Sequence, residues 1–191
     1  MTRFAVFAYG SLVDPRSASL TLGRPAGPPA PCRLAGWRRR WSISRDNRRS
    51  EKTFAVVSDG RVPDRIVGLN IEPDPEGGAG PVGALVEVDA ADLDRLDLRE
   101  VRYDRVDVTG CIEGAAGFDR VIAYTAKPAQ HTPDPPAGAV IIAAYVRLVE
   151  AAFEAIGLRD EFWQTTDPPP VPVVEARLVA DRIPPGNPRD W

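Results

Sequence analysis

The apolar and polar positions of this chain alternate in short runs, which predicts many strands and few helices. Residues 4–8 form a continuous apolar, β-prone run that reaches Tyr9 and turns through Gly10 and Ser11. Asp14 followed by Pro15 reads as an N-cap and a first helical residue, so a short helix should run to Leu22 and stop at Gly23. Residues 32–44 read as one long strand whose phase flips at Gly36, which predicts a bulge or bend there. Residues 53–58 and 65–71 flank an Asp59-Gly60 turn and predict a hairpin. After a glycine-rich loop, residues 82–88 form the next strand, and Asp89 caps a helix with Leu93 and Leu96 at helical spacing. Strands over 103–109 and 120–126 should pair through the turn at 114–117. The one long helix is expected over 139–156. Its apolar stripe runs through Tyr145, Val149 and Phe153, and Gly157 follows as the stop. A second helix over 158–165, a polyproline-like linker over 167–172, a last strand over 173–180 and a tail anchored by Trp191 complete the pattern. Strands follow strands without crossover helices, so the expected class is a mixed, mainly antiparallel α+β domain.

Composition narrows the function classes. The chain has 191 residues, enough for one domain with a sizeable core. Its net charge of −3 argues against wholesale nucleic-acid binding. No apolar run is long enough to span a bilayer, and the first apolar run is too short for a signal peptide. Cys32 and Cys111 lie far apart in no metal-ligand spacing and fit two reduced thiols in a cytoplasmic protein. A Ser-His-Asp triad would have to use the single histidine, His131, which sits in a proline-rich loop and reads as a surface residue. The densest positive charge lies between Arg33 and Lys52, interleaved with Trp37 and Trp41. It reads as the wet face of an edge strand, as a stacking platform for single-stranded nucleic acid, or as the source of one inward arginine that meets a substrate carboxylate.

Two stretches carry candidate chemistry. The strand ending at Tyr9-Gly10-Ser11-Leu12 leaves backbone N–H groups free to hold an anionic oxygen. Glu100 closes the second helix between Arg99 and Arg102. The helix dipole and any burial raise the pKa of such a carboxyl, and the arginines lower it. An inward turn would move it toward the range of a general base. A surface salt bridge is the alternative.

Phe7-Ala8-Tyr9-Gly10-Ser11-Leu12 resembles the Tyr-Gly-Ser loop that opens the γ-glutamylcyclotransferase-like family, and Leu96-Asp97-Leu98-Arg99-Glu100-Val101-Arg102-Tyr103 is similar to its second signature, a Leu-Asp pair before the catalytic glutamate and a tyrosine. The strand over 83–88, then Tyr124, the prolines and Tyr145, follow the family's order. Leu12 departs from the asparagine of several members, and the glutamate-to-tyrosine gap is shorter than in the animal enzymes. The resemblance implies a small β-barrel with flanking helices over residues 1–166, with 167–191 as a proline-rich extension. It implies a γ-glutamyl substrate cyclised to 5-oxoproline, with Glu100 as general acid/base. Tyr9, Gly10, Ser11, Leu12, Tyr103 and Tyr145 would bind that substrate, and no cofactor would be needed. A non-catalytic ligand-binding domain of the same fold is the alternative. The particular γ-glutamyl compound and the oligomeric state are left open.

Overall fold

The computed structural model describes residues 2–115, 117–185 and 187; the expected anchor, Trp191, lies outside them. In chain order the elements are β1 (Phe4–Ala8), α1 (Pro15–Leu22), β2 (Ala30–Leu34), β3 (Trp37–Asp46), β4 (Lys52–Val56), β5 (Arg65–Pro73), β6 (Val82–Val88) and α2 (Ala90–Arg99). They continue as β7 (Tyr103–Asp107), β8 (Ile112–Glu113), β9 (Arg120–Ala126), β10 (Ile141–Ile142), α3 (Ala143–Ala155), α4 (Arg159–Gln164), β11 (Val173–Val174) and β12 (Ala176–Asp181). Single 3₁₀ turns lie at Ser11–Val13 and Thr109–Cys111.

Six strands form one sheet in the order β7-β9-β1-β6-β2-β8. β1 is central, parallel to β9 and antiparallel to β6, and its residues 5–8 are all buried. A strand covered on both faces needs an unbroken apolar run, which is what residues 4–8 supply. Gly83 of β6 lies where a side chain would not fit: a Cβ there would come within 2.5 Å of both the Ala8 carbonyl oxygen and the Phe7 ring. Helices α3 and α4 cover the core with Val149, Phe153 and Phe162. α1 is capped by Asp14, whose carboxylate accepts from the Arg16 N–H at 2.9 Å, and ends at Gly23 with φ 69°.

The structure corrects four expectations. The sheet is mixed α+β but curled and open, not a closed barrel, because β7 and β8 are both edges. The antiparallel β3–β5 ladder stands apart from it. Side chains bridge the gap: Asn70 accepts from the Ala126 N–H at 2.7 Å, and the Thr125 hydroxyl donates to the Ile71 carbonyl at 2.7 Å. Residues 32–44 are two strands in two different sheets. The break falls at Gly36, whose φ of 76° takes the chain through a conformation open mainly to glycine. The 53–58/65–71 hairpin does not form. The Asp59-Gly60 turn is present, but β4 pairs with β12 and β5 pairs with β3. Finally, α3 begins at residue 143. The β-branched run Val140-Ile141-Ile142 stays extended, with the Val140 N–H on the Arg65 carbonyl and Ile141–Ile142 laddered on Val173–Val174.

Candidate active site

The 3₁₀ turn at Ser11–Val13 leaves the C-terminal end of β1 directly. Val13 is wholly buried and pins that turn, while the N–H groups of Gly10, Ser11 and Leu12 donate no hydrogen bond among the described residues. Glu100 lies across from them as the C-terminal cap of α2. Its N–H donates to the Leu96 carbonyl at 2.7 Å, and its own carbonyl accepts from the Tyr103 N–H at 2.8 Å. The opposite end of α2 is held by a reciprocal box between Asp89 and Asp92, so the whole helix is fixed at both termini.

Arg99 connects these parts. Its side chain is 3% exposed, and its Nε lies 3.3 Å from the Glu100 carboxylate. Its Nη2 donates to the Ser11 hydroxyl at 3.0 Å and to the Ser17 hydroxyl at 3.0 Å. Its Nη1 donates to the Ser17 carbonyl at 3.1 Å and the Thr21 hydroxyl at 2.5 Å. One guanidinium therefore ties together α1, the turn after β1 and the carboxylate. The Glu100 side chain is 18% exposed. Burial pushes its pKa above the ordinary carboxylate range, and the nearby Arg99 and Arg102 charges offset only part of that rise.

Two adjoining cavities meet at this carboxylate. The inner one, of about 50 Å³, is lined by Tyr9, Gly10, Ser11, Leu12, Tyr103, Tyr145 and Glu100. The outer one, of about 320 Å³, shares Ser11, Glu100, Tyr103 and Tyr145 with it. All seven residues singled out from the sequence therefore come to one place. Their hydroxyls are not equivalent. Tyr9 donates to the Tyr124 carbonyl at 2.7 Å and Tyr103 to the Leu69 carbonyl at 2.9 Å, so both are fixed in the framework. The Tyr145 hydroxyl makes no hydrogen bond among the described residues and lies beside Gly10, where an added Cβ would stand 3.1 Å from it. Burial and the Glu100 charge hold Tyr145 above the usual phenol range, so its hydroxyl keeps its proton.

Other candidates lie elsewhere. His131 contacts Glu72, with Nε2 2.7 Å from the carboxylate, and lines neither cavity. Arg39 is the one inward arginine of the basic stretch that is wholly buried, but it is spent on the framework. It donates to the Val82, Phe162 and Tyr9 carbonyls and to Thr165 and Thr166. Burial pulls its pKa down to about 9, which still leaves it charged at neutral pH. Trp41 is buried and offers no exposed stacking face, and Arg40 pairs with Glu72 and Asp167. Cys32 is buried and its thiol is pushed up to about 12; Cys111 is half-buried, and both are free. Among the described residues no group of three or more His, Cys, Asp or Glu side chains could hold a metal ion. No helix among them is long and apolar enough to cross a membrane.

The outer cavity and the bridging role of Arg99 were not foreseen. Along the sequence Arg99 is only a charge beside Glu100. Its reach to Ser11 depends on how α1 and α2 pack, and no spacing along the chain encodes that. The outer walls come from β3, β4, α3 and Ile183, beyond β12, which is assembled from segments far apart in sequence.

No family model matches this chain, and no curated protein matches it by sequence. Among solved structures, the crystal structure of YkqA from Bacillus subtilis superposes with a TM-score of 0.51 at 16% identity, over 88% of this chain. This chain spans 57% of the YkqA chain, a little over half its length. The solution structure of At3g28950.1 from Arabidopsis thaliana gives a TM-score of 0.41 at 20% identity, covering 86% of this chain and 85% of that one. The likeness to YkqA is one of fold. With the curled, open α+β sheet, it points to a γ-glutamylcyclotransferase-like fold and shows the fold alone.

Proposed function

We propose that this chain is a γ-glutamylcyclotransferase-type enzyme, which closes the γ-glutamyl group of a small substrate to 5-oxoproline and releases the amine portion. The observation that carries this reading is the meeting of a raised-pKa carboxylate, Glu100, with the three unspent N–H groups of residues 10–12 around one cavity.

The chemistry divides among few groups. Glu100 takes a proton from the substrate's α-ammonium, and the freed amine attacks the substrate's own γ-carbonyl carbon. The carbonyl oxygen becomes an oxyanion as the new C–N bond forms. When it collapses, the old C–N bond breaks as Glu100 returns the first proton to the departing nitrogen; the second proton of the new ring nitrogen follows through the same carboxylate, so the amine portion leaves as an ammonium. A carboxyl lifted by burial is a stronger base than a solvated one. The N–H groups of Gly10, Ser11 and Leu12 hold the α-carboxylate or the oxyanion, where fixed donors act without reorganisation. Tyr145 donates its free hydroxyl to the same group. Folding the chain of the substrate so that amine and carbonyl meet supplies a further large share of the acceleration.

The test is a panel of γ-glutamyl compounds assayed for 5-oxoproline. Glu100→Gln should keep the fold, read by circular dichroism, and lower turnover by about 10²–10⁴-fold. Undiminished turnover in that variant would remove Glu100 from the mechanism. A binding-only domain would retain ligand affinity and release no 5-oxoproline in either form.

A further inference from the structure

The outer cavity is unlike the inner one in its charges. Arg45 of β3 lines it, with Nη1 donating to the Lys52 carbonyl at 2.7 Å and to the Ser50 hydroxyl. No carboxylate of the described residues lies within ion-pair distance of Arg45. Arg102, on the same cavity, has Nη2 2.5 Å from the Glu51 carboxylate, so its charge is balanced. Arg45 and Arg102 are near enough to repel. Burial first, and the Arg102 charge second, hold the Arg45 guanidinium down to about 10. Phe54, Ile66, Ile142, Leu148 and Ile183 supply an apolar part of the wall, and Lys52, Arg99 and Glu100 line it too. A partly desolvated cation that no carboxylate of the described residues contacts, and whose charge Asp46 offsets only in part, is a place where an incoming anion gains more than it does in water. A cationic amine would be repelled there, and an uncharged amine would cover Arg45 without pairing it.

We propose that the outer cavity selects a leaving group that is an amino acid with a bulky apolar side chain, its carboxylate held by Arg45 beside Arg102 and its side chain laid on Phe54, Ile66 and Ile183. The inference rests on the proposed γ-glutamyl reading only for the group that occupies the inner cavity.

Two probes differing in one carboxylate separate the possibilities: γ-glutamylphenylalanine and γ-glutamylphenethylamine. Binding is measured by calorimetry on the Glu100→Gln protein, where turnover does not interfere, and 5-oxoproline release is followed in parallel on the wild type. The acid should bind at least about tenfold tighter than the amine, the worth of one charge-assisted hydrogen bond. Arg45→Met should bring that ratio close to one, and Arg45→Lys should keep part of it. Equal affinity, a preference for the amine, or no binding of either probe overturns the proposal, whatever the folding of the Arg45 variants. Tenfold preference without 5-oxoproline release from either probe leaves this inference standing and defeats the cyclotransferase reading.

Discussion

Burial lifts the Glu100 carboxyl above its ordinary range because Arg99 and Arg102 compensate only part of the lost hydration. A folded-state pKa above the unfolded one means that Glu100 favours the fold when protonated. That contribution is fully present below the unfolded carboxyl pKa and is lost as pH rises through the folded one. Thermal melts should therefore show Glu100→Gln gaining stability relative to wild type between acid and neutral pH, a gain that disappears in strong acid. A constant difference across that window would mean the carboxylate is solvated. Arg99 acts in the opposite sense. Replacing it with Gln removes the nearest positive charge, so the Glu100 pKa should rise further and the acid limb of the kcat/KM profile should move to higher pH. The same substitution leaves the Ser17 carbonyl and the Ser11, Ser17 and Thr21 hydroxyls short of a donor, and should cost about 1–3 kcal/mol in urea denaturation. A structural role alone would lower stability without moving the profile. That Glu100 carries chemistry could be suspected from the residues alone. That Arg99 reaches Ser11 could not, because the contact spans 88 residues of chain.

Elements set where these side chains point. α2 delivers Arg99 and Glu100 from its last turn, so its cap at the far end governs them at a distance. Asp89→Ala breaks the reciprocal box with Asp92 and should cost about 1 kcal/mol. Asp92 also holds Arg24, so the lost partner loosens the contact between the α1 loop and α2. Amide exchange should quicken through the first turn of α2 in that variant. β1 and β6 approach closely at Gly83, and an Ala there must push on the Ala8 carbonyl or the Phe7 ring, two and three residues before Gly10. Gly83→Ala should lower the urea midpoint and weaken substrate binding together, since it displaces the strand end that carries the turn. Most single elements were readable. α1, β6, α2 and α4 fall close to where periodicity and caps place them, because those signals lie within a few residues of each other. The failed hairpin has a different cause. A two-strand pairing from a local turn competes with the eight register positions that β3 offers to β5, and the longer ladder wins.

At the scale of the molecule, the C-terminal segment joins the site. β12 ladders on β4 with a register shift at Leu178/Ala180, and Arg182 donates to the Ser50 carbonyl at 2.9 Å and the Thr53 hydroxyl at 3.0 Å. Ile183 then lines the outer cavity. A chain ending at residue 172 would expose Phe54 and Ile66 and release the 50–53 segment from Arg182. Ligand affinity should fall by roughly 1–3 kcal/mol, the worth of one or two buried apolar side chains, read as a rise in KM larger than the fall in kcat. An unchanged KM would place the segment outside the functional unit.

By themselves the residues determined what is local. These include the apolar run of β1 and its small-residue turn, the capped helix that ends on a glutamate between two arginines, the bend at Gly36 and the mixed α+β class. Each depends on conformational preferences and spacings over a few positions. Tertiary structure decided what is joined over distance: the open sheet, the pairing of β4 with β12, the Arg99 link from Glu100 to Ser11, and the outer cavity with Arg45 in its wall. Those contacts depend on which surfaces meet after the elements form, and burial and charge at the meeting point are properties of no single stretch of chain.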